Sequence, residues 1–222
     1  MTETVATNRG QTVRVSEIFF SLQGEAARSG LPTVFVRLTG CPLRCTWCDT
    51  EYAFTGGANT RIEDVLAEVA RFPTRYVCVT GGEPLAQKTC LPLLKALCDA
   101  DYDVCLETSG ALDIAAVDPR VARIMDLKAP SSGENAKNLL SNIADLRPTD
   151  EVKIVIASRA DYDWAKDIMS AHQLSTRCDV VLSPVAGQLD PTELAEWILA
   201  DGLAVRFQIQ LHKLLWSDAR GK

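Results

Sequence analysis

Three cysteines fall within eight positions of the stretch "GCPLRCTWCDT": Cys41, Cys45 and Cys48. A structural zinc ion takes four cysteine or histidine ligands. Only one CxxC pair is present here, and the two histidines, His172 and His212, are remote in sequence, although a fold can still bring one of them near. Iron–sulfur proteins that only carry electrons also supply four ligands to the cluster. Three thiolates on one short loop point instead to a 4Fe-4S cluster with one iron left for another ligand. The remaining five cysteines read differently. Cys78, Cys105 and Cys178 sit in or beside apolar runs, and Cys90 and Cys98 share nearly one helical face. Free cysteine in such places is a small buried hydrophobe.

A second cluster is "TGGEP", Thr80 to Pro84. Glycines let backbone approach a ligand closely, and a strand-end carbonyl or carboxylate can receive an ammonium group. Without the cysteines, the same residues would read as a turn that starts a helix.

Short β-branched runs supply the elements that must position these groups. "TVRVSEIFFS" (12–21) and "TVFVRLTG" (33–40) read as strands, as do "YVCVTG", "DVCLETS", "VARIMDLK", "EVKIVIAS", "CDVVLSPV" and "VRFQIQL". "RIEDVLAEVARF", "LPLLKALCDA", "DYDWAKDIMSAH" and "PTELAEWILADG" carry apolar residues at helical spacing. Thr60 before an acidic first turn, and Asp190 before Pro191, are expected helix starts. The alternation predicts an α/β fold, a partial (β/α) barrel of about six parallel strands with an N-terminal extension, since a full eightfold barrel needs more chain. A single domain over 1–222 is expected, with residues 1–11 a flexible segment. Chemistry then gathers at the C-terminal ends of the strands. The cysteines, "GGE", "ETS", Lys128 with Ser131, and Ser183 all follow strand-like runs, which puts them on one rim.

Composition narrows the class without naming it. A chain of 222 residues with 47% hydrophobic residues can build a sizeable core. A net charge of -6 argues against broad, direct nucleic-acid binding. The first ten residues lack the apolar core of a secretory signal, and no apolar run is long enough for a bilayer, so no membrane partner and a cytoplasmic location are expected. Reduced thiols agree with that compartment.

"CPLRCTWC" is CxxxCxxC with an aromatic before the last cysteine, and it resembles the signature of the radical S-adenosylmethionine superfamily. "TGGEP" resembles that superfamily's GGEP element. The resemblance implies a 4Fe-4S cluster on Cys41, Cys45 and Cys48, whose open iron chelates S-adenosylmethionine. One electron entering the sulfonium breaks a carbon–sulfur bond, and the resulting adenosyl radical takes hydrogen from substrate. It further implies cofactor contacts from Trp47, Cys48, Asp49, Gly82 and Glu83, and a cofactor cleft lined by Asp126, Lys128, Ser131 and Ser183.

Within that superfamily, "EIFFSLQGEAARSGLPTVFVRLTGCPLRCTWCDTEYAF", "ETSG", "DLKAPSSG", "LSPVAGQ" and "RFQIQLHKLLW" resemble the 7-carboxy-7-deazaguanine synthase family over nearly the whole chain. That family converts 6-carboxy-5,6,7,8-tetrahydropterin to 7-carboxy-7-deazaguanine with loss of ammonia, toward queuosine and related 7-deazapurines. Its substrate presents a guanine-like edge, which Gln23, Glu25 and the backbone of Leu22 to Gly24 can match, and Thr80 is also expected at the substrate. The substrate's carboxylate needs a cation, and Arg37 offers a two-pronged fork. Read alone, Arg37 is equally a surface ion pair, and Gln23 and Gly24 an ordinary turn. Thr50 corresponds to a magnesium ligand, with Mg2+ taking its other oxygens from substrate and water; read alone it is a helix cap or a solvent-facing hydroxyl. The family also implies a homodimer and an electron donor such as flavodoxin. One departure stands out: the family often reads "QGEG", whereas Ala26 follows Glu25 here, and alanine adopts positive φ less cheaply than glycine.

Two other readings remain open at the level of sequence. A glycyl-radical-enzyme activase shares the cysteine motif but needs a protein-docking groove rather than "SLQGE" and Arg37. A zinc-binding or electron-transfer module has no use for "TGGEP". Replacing any one of Cys41, Cys45 or Cys48 by alanine is expected to abolish turnover while leaving the far-ultraviolet circular dichroism largely unchanged. Full activity in one such variant would remove that cysteine from the cluster.

Overall fold

The computed structural model describes residues 10–217 and 219–222. Most of the expected flexible segment, residues 1–9, lies outside the described residues. Nine strands form one sheet in the order β3-β1-β2-β4-β5-β6-β7-β8-β9. Strands β1 (Thr12–Leu22) and β3 (Ala58–Arg61) pair antiparallel at one edge, β1 lying between β3 and β2 (Pro32–Leu38). From β2 onward every pairing is parallel: β4 (Tyr76–Gly81), β5 (Asp103–Thr108), β6 (Ala122–Asp126), β7 (Glu151–Ile156), β8 (Asp179–Pro184) and β9 (Arg206–Phe207). The sheet does not close on itself, so seven parallel strands make a partial barrel with an antiparallel N-terminal extension.

The two faces of the sheet are packed unequally. Side chains alternate across a strand, so Val77, Val79, Val104 and Leu106 join the large core under helices α1 (Ile62–Val69), α2 (Cys90–Asp99), α3 (Arg159–His172) and α4 (Pro191–Asp201). The opposite, concave face carries only a small cluster of Ala26, Phe35, Cys78, Cys105 and Ile124. Phe19 stacks on Phe35 at 4.9 Å between ring centroids and extends that floor. All five cysteines expected to be packing residues are buried.

Several local expectations are corrected by tertiary context. Thr60 does not cap α1: it lies in β3 opposite Val13, and Arg61 precedes the helix. A β-branched residue suits the pleated edge better than a cap. Asp190 does cap α4, accepting from Thr192 N–H at 2.8 Å ahead of Pro191. The strand/helix alternation lapses between β5 and β7, where residues 109–121 and 127–150 contain turns and 3-10 segments only. Pro119 and Pro148 lack the N–H that a helix interior needs, and Pro130 opens a 3-10 turn. A buried asparagine organises part of the gap, Asn142 donating to the carbonyls of Gly110 and Leu112 at 3.3 and 2.8 Å. "VRFQIQL" is strand only at Arg206 and Phe207, and the chain then leaves the sheet for a short helix, α5 (Leu211–Trp216).

A buried ion-pair network closes the floor of the β6–β7 crossover. Arg123, 4% exposed, meets Asp150, which is fully buried, at 2.5 Å, and Arg147 reaches the same carboxylate at 2.9 Å. Burial alone would raise the Asp150 carboxyl, but hydrogen bonds from Arg147 and Arg123 outweigh it and hold the group at about 2. A carboxyl depressed by about two units stabilises the fold by roughly 2–3 kcal/mol above the unfolded pKa near 4, and that contribution is lost as pH falls toward 2. Asp150→Asn should therefore lower the urea midpoint clearly at pH 7, with the gap to wild type narrowing between pH 4 and 2; a pH-independent gap would contradict this account.

Candidate active site

A cavity of about 650 Å3 opens over the concave face, at the C-terminal ends of the parallel strands. Cys41, Cys45 and Cys48 line it, half-buried on the loop that follows β2. Two flanking segments hold that loop. On one side Glu83 N–H donates to the Gly40 carbonyl at 2.7 Å and Gly82 N–H to the Leu38 carbonyl at 3.2 Å. No side chain fits at Gly82, where a Cβ would collide with the Gly40 carbonyl and come within 2.7 Å of Cys41 Cβ. Gly81, at φ +154°, is similarly pressed against Leu38. On the other side, "SSGENAKN" (131–138), the most loop-like stretch of the sequence, grips the cysteine loop. Thr46 donates from its N–H to the Ser132 carbonyl at 3.1 Å and from its hydroxyl to Ser131 O at 2.9 Å, while Arg44 N–H reaches Glu134 at 2.6 Å.

These residues fit a cluster better than a single ion. Among the described residues, no three histidine, cysteine or acidic side chains converge on one ion-sized point. A structural zinc ion requires such convergence of four ligands, whereas a 4Fe-4S cluster with one open iron takes three thiolates. Neither histidine joins them: His172 ends α3, and His212 lies against Gly24 with Nε2 3.9 Å from Asp49. Burial pushes the thiols of Cys41 and Cys45 up, and Lys128 partly offsets this. A bound metal supplies the charge that ionises such thiols.

Leu22, Gln23, Gly24, Glu25, Arg37 and Thr80, expected at the substrate, all line the same cavity, as do Trp47, Asp49, Thr50, Gly82, Asp126 and Lys128. Their charges are set by neighbours. Arg37 Nε donates to Glu17 at 2.8 Å, and Tyr52 donates to the same oxygen at 2.7 Å. Glu25 forms an ion pair with Lys153 and accepts from Gln210 Nε2 at 2.7 Å. Burial would lower the Lys153 ammonium, but the carboxylates of Glu25, Asp126 and Glu107 together outweigh it and the net shift is upward. Glu107 orients two neighbours, accepting from Thr80 at 2.8 Å and from Gln23 at 3.2 Å. Lys128 pairs with Asp126 at 2.9 Å, while the other Asp126 oxygen is buried with no protein partner. Asp49 is held at about 2: burial opposes ionisation, and His212 and Lys213 more than compensate.

Three expected cofactor contacts are not among the lining residues. The fully buried Glu83 carboxylate accepts from the Thr108 hydroxyl at 2.9 Å, from Ser109 N–H at 2.6 Å, and from Leu85 N–H at 2.9 Å. Its side chain therefore binds protein. Ser131 is exposed, with its N–H on Asp161. Ser183 is buried with an unpaired hydroxyl in β8, while Val185 and Ala186 just beyond the strand reach the cavity. Sequence reading missed Lys153 and Gln210. The signal for Lys153 was present, as a lone charge inside the otherwise apolar run "EVKIVI".

Because the groups facing a Cβ at position 82 are backbone and the first cysteine itself, Gly82→Ala is expected to displace the cysteine loop. After anaerobic reconstitution this variant should hold under half of the wild-type acid-labile sulfide while its circular dichroism stays native. Full sulfide would show that the loop yields without losing its ligands.

The radical SAM superfamily pattern matches residues 35–131. A 7-carboxy-7-deazaguanine synthase of Chlorobaculum tepidum is 48% identical, covering 94% of this chain and 97% of that protein. The enzyme of the same name from Koribacter versatilis is 40% identical, covering 92% and 97%. Among solved structures, QueE from Escherichia coli superimposes with a TM-score of 0.77 at 24% identity, over 96% of this chain and 100% of that one. SuiB from Streptococcus suis, solved with S-adenosylmethionine bound, gives 0.53 at 12% identity, over 80% of this chain and 47% of that one. Both structural likenesses speak for the fold alone. The cysteine loop, the glycine cradle beside it and the nearly full-length identity to these relatives agree: the chain belongs to the 7-carboxy-7-deazaguanine synthase family of radical S-adenosylmethionine proteins.

Proposed function

We propose that this protein converts 6-carboxy-5,6,7,8-tetrahydropterin to 7-carboxy-7-deazaguanine with loss of ammonia, as a step in making 7-deazapurines such as queuosine. One observation carries the reading. The three half-buried thiols and the Gln23–Glu25 loop with Arg37 face a single cavity, whose volume falls within the range of small-molecule sites. When bound, the cluster and S-adenosylmethionine supply one-electron cleavage of a carbon–sulfur bond and abstraction of a substrate hydrogen.

The chain's own residues bind and orient. Glu17 engages Arg37 through Nε, an arrangement that reserves the terminal guanidinium nitrogens for the substrate carboxylate. Gln23, Glu25 and the Leu22–Gly24 backbone take the guanine-like edge, Lys153 and Gln210 holding Glu25 in place. Glu107 fixes Thr80 and Gln23 at the same end. Trp47, Asp49, Gly82, Asp126 and Lys128 take the S-adenosylmethionine side, with Glu83 shaping that side from beneath. Beyond Ser183, Val185 and Ala186 face the cavity on this side.

Mg2+ is assigned to Thr50, whose hydroxyl lies 3.8 Å from Cys48 Sγ on the cavity wall. Magnesium keeps several waters, so one protein hydroxyl suffices when substrate oxygens complete the shell. The whole chain acts as one domain, in the cytoplasm, with an electron donor such as flavodoxin. Exposed Phe207, Ile209, Leu214 and Leu215 near the β9 edge support a homodimer. No helix among the described residues is long and apolar enough to cross a membrane.

Anaerobically reconstituted protein, given S-adenosylmethionine, Mg2+, reductant and synthetic carboxytetrahydropterin, should release 7-carboxy-7-deazaguanine and one equivalent of ammonia. Absence of product from protein with an intact 4Fe-4S cluster would overturn the assignment.

A further inference from the structure

Four non-glycine residues among those described adopt positive φ, and three of them, Asp101, Gln173 and Ser217, are exposed. The fourth is Ala26, at φ 63° and 2% exposed, directly after Glu25 in the loop that faces the cavity. Its methyl group belongs to the small floor cluster with Phe35, Cys78, Cys105 and Ile124. Left-handed backbone disfavours alanine by roughly five- to thirtyfold in population, so a buried alanine held there requires external support.

That support comes from far along the chain. Ala26 N–H donates to Gln208 Oε1 at 2.6 Å, and Gln208 Nε2 donates back to the Ala26 carbonyl at 3.2 Å. One carboxamide thus engages both backbone groups of the strained residue. The contact continues in order along the C-terminal segment, Gln210 reaching Glu25 and Leu211 N–H reaching the Gly24 carbonyl at 3.1 Å. Gln208 is itself anchored by its N–H on the Leu182 carbonyl at 3.0 Å, at the end of the parallel sheet.

We infer that Gln208 is a positioning residue: its side-chain amide holds Ala26 in the left-handed conformation and thereby sets the Gln23–Glu25 loop for substrate. It makes this chain's alanine at position 26 workable where glycine would need no clamp. Its role toward substrate rests on the function proposed above, but its role toward the loop is readable without turnover.

The experiment is a double-mutant cycle of Gln208→Ala and Ala26→Gly, read by amide hydrogen exchange and by steady-state kinetics. The reporting amides are Gln23, Gly24 and Ala27, which bond to Leu31 O, Gln23 Oε1 and Glu151 Oε1, and not to Gln208. Gln208→Ala should speed their exchange about tenfold and raise the pterin KM about tenfold, with kcat within about twofold. In the Ala26→Gly background both effects should shrink to about threefold or less. Gln208→Glu, which keeps the acceptor for Ala26 N–H and loses the donor, should fall between, and it serves where Gln208→Ala folds poorly. Equal effects in the two backgrounds, or no change in exchange at the reporting amides, would overturn the inference. Coupling seen in exchange while no variant forms product would uphold the clamp and sink the proposed reaction instead.

Discussion

The site depends on one buried carboxylate that forms no ion pair among the described residues and is held by hydroxyl and backbone donors instead. Glu83 leaves β4 with its N–H on the Gly40 carbonyl, and its side chain takes donors from Thr108, Ser109 and Leu85. A single residue therefore ties together the ends of β2, β4 and β5. A carboxyl group inside a protein is tolerable only when hydrogen bonds replace its water, and several short ones do so here. Because those donors sit at strand ends, the carboxylate also fixes how the three strands terminate relative to one another. The cysteine loop springs from one of these ends, and the glycine cradle from another. Their mutual placement follows from this one side chain being fully hydrogen-bonded.

Polar groups over the concave face are arranged in compensated pairs: Arg37 with Glu17, Lys153 with Glu25, and Lys128 with Asp126. Removing one member of such a half-buried pair leaves the other without its partner at the cavity wall. Such pairs add little net stability; their value is orientation, since each fixes the rotamer of a group that faces the cavity. Asp126 illustrates the other half of the scheme, with one oxygen on Lys128 and the second buried without a protein partner. An orphaned acceptor in a ligand-sized cavity is a place for a donor from outside the chain.

Much of this was legible locally. Cys41, Cys45 and Cys48 and "TGGEP" carry their meaning in short-range spacing, and the strand runs that precede them put both on one rim, whereas the loop Leu22–Glu25 was legible only through its resemblance to the family. What stayed hidden depends on which way a side chain turns once strands are in register. Glu83 reads as a ligand contact from its motif, yet it faces the strand ends rather than the cavity. Ser131 and Ser183 follow the right strands and point elsewhere, while Lys153 lies mid-strand and reaches in. Between β5 and β7 no run at helical spacing was legible, and there the chain holds turns and 3-10 segments tied by a buried asparagine. Gln208 and Gln210 looked like the alternation of a final strand, since nothing nearby reveals that their partners lie more than 180 residues earlier.

The unequal faces of the sheet explain how so much strain and buried polarity is sustained at the site. Helices α1 to α4 cover one face with a continuous apolar core, including Val77, Val79, Leu93, Leu106, Ile154 and Tyr162, all essentially fully buried. Each such aliphatic or aromatic side chain contributes roughly 1.5–3 kcal/mol on burial. The concave face has only five buried apolar residues in its cluster, and it holds the left-handed Ala26, the compressed Gly81 and the unpaired Asp126 oxygen. Filling that face with larger side chains would improve packing and abolish the cavity. Stability is thus drawn from the helical side of the sheet, and the other side is left free to hold polar groups where a ligand, rather than the fold, completes them.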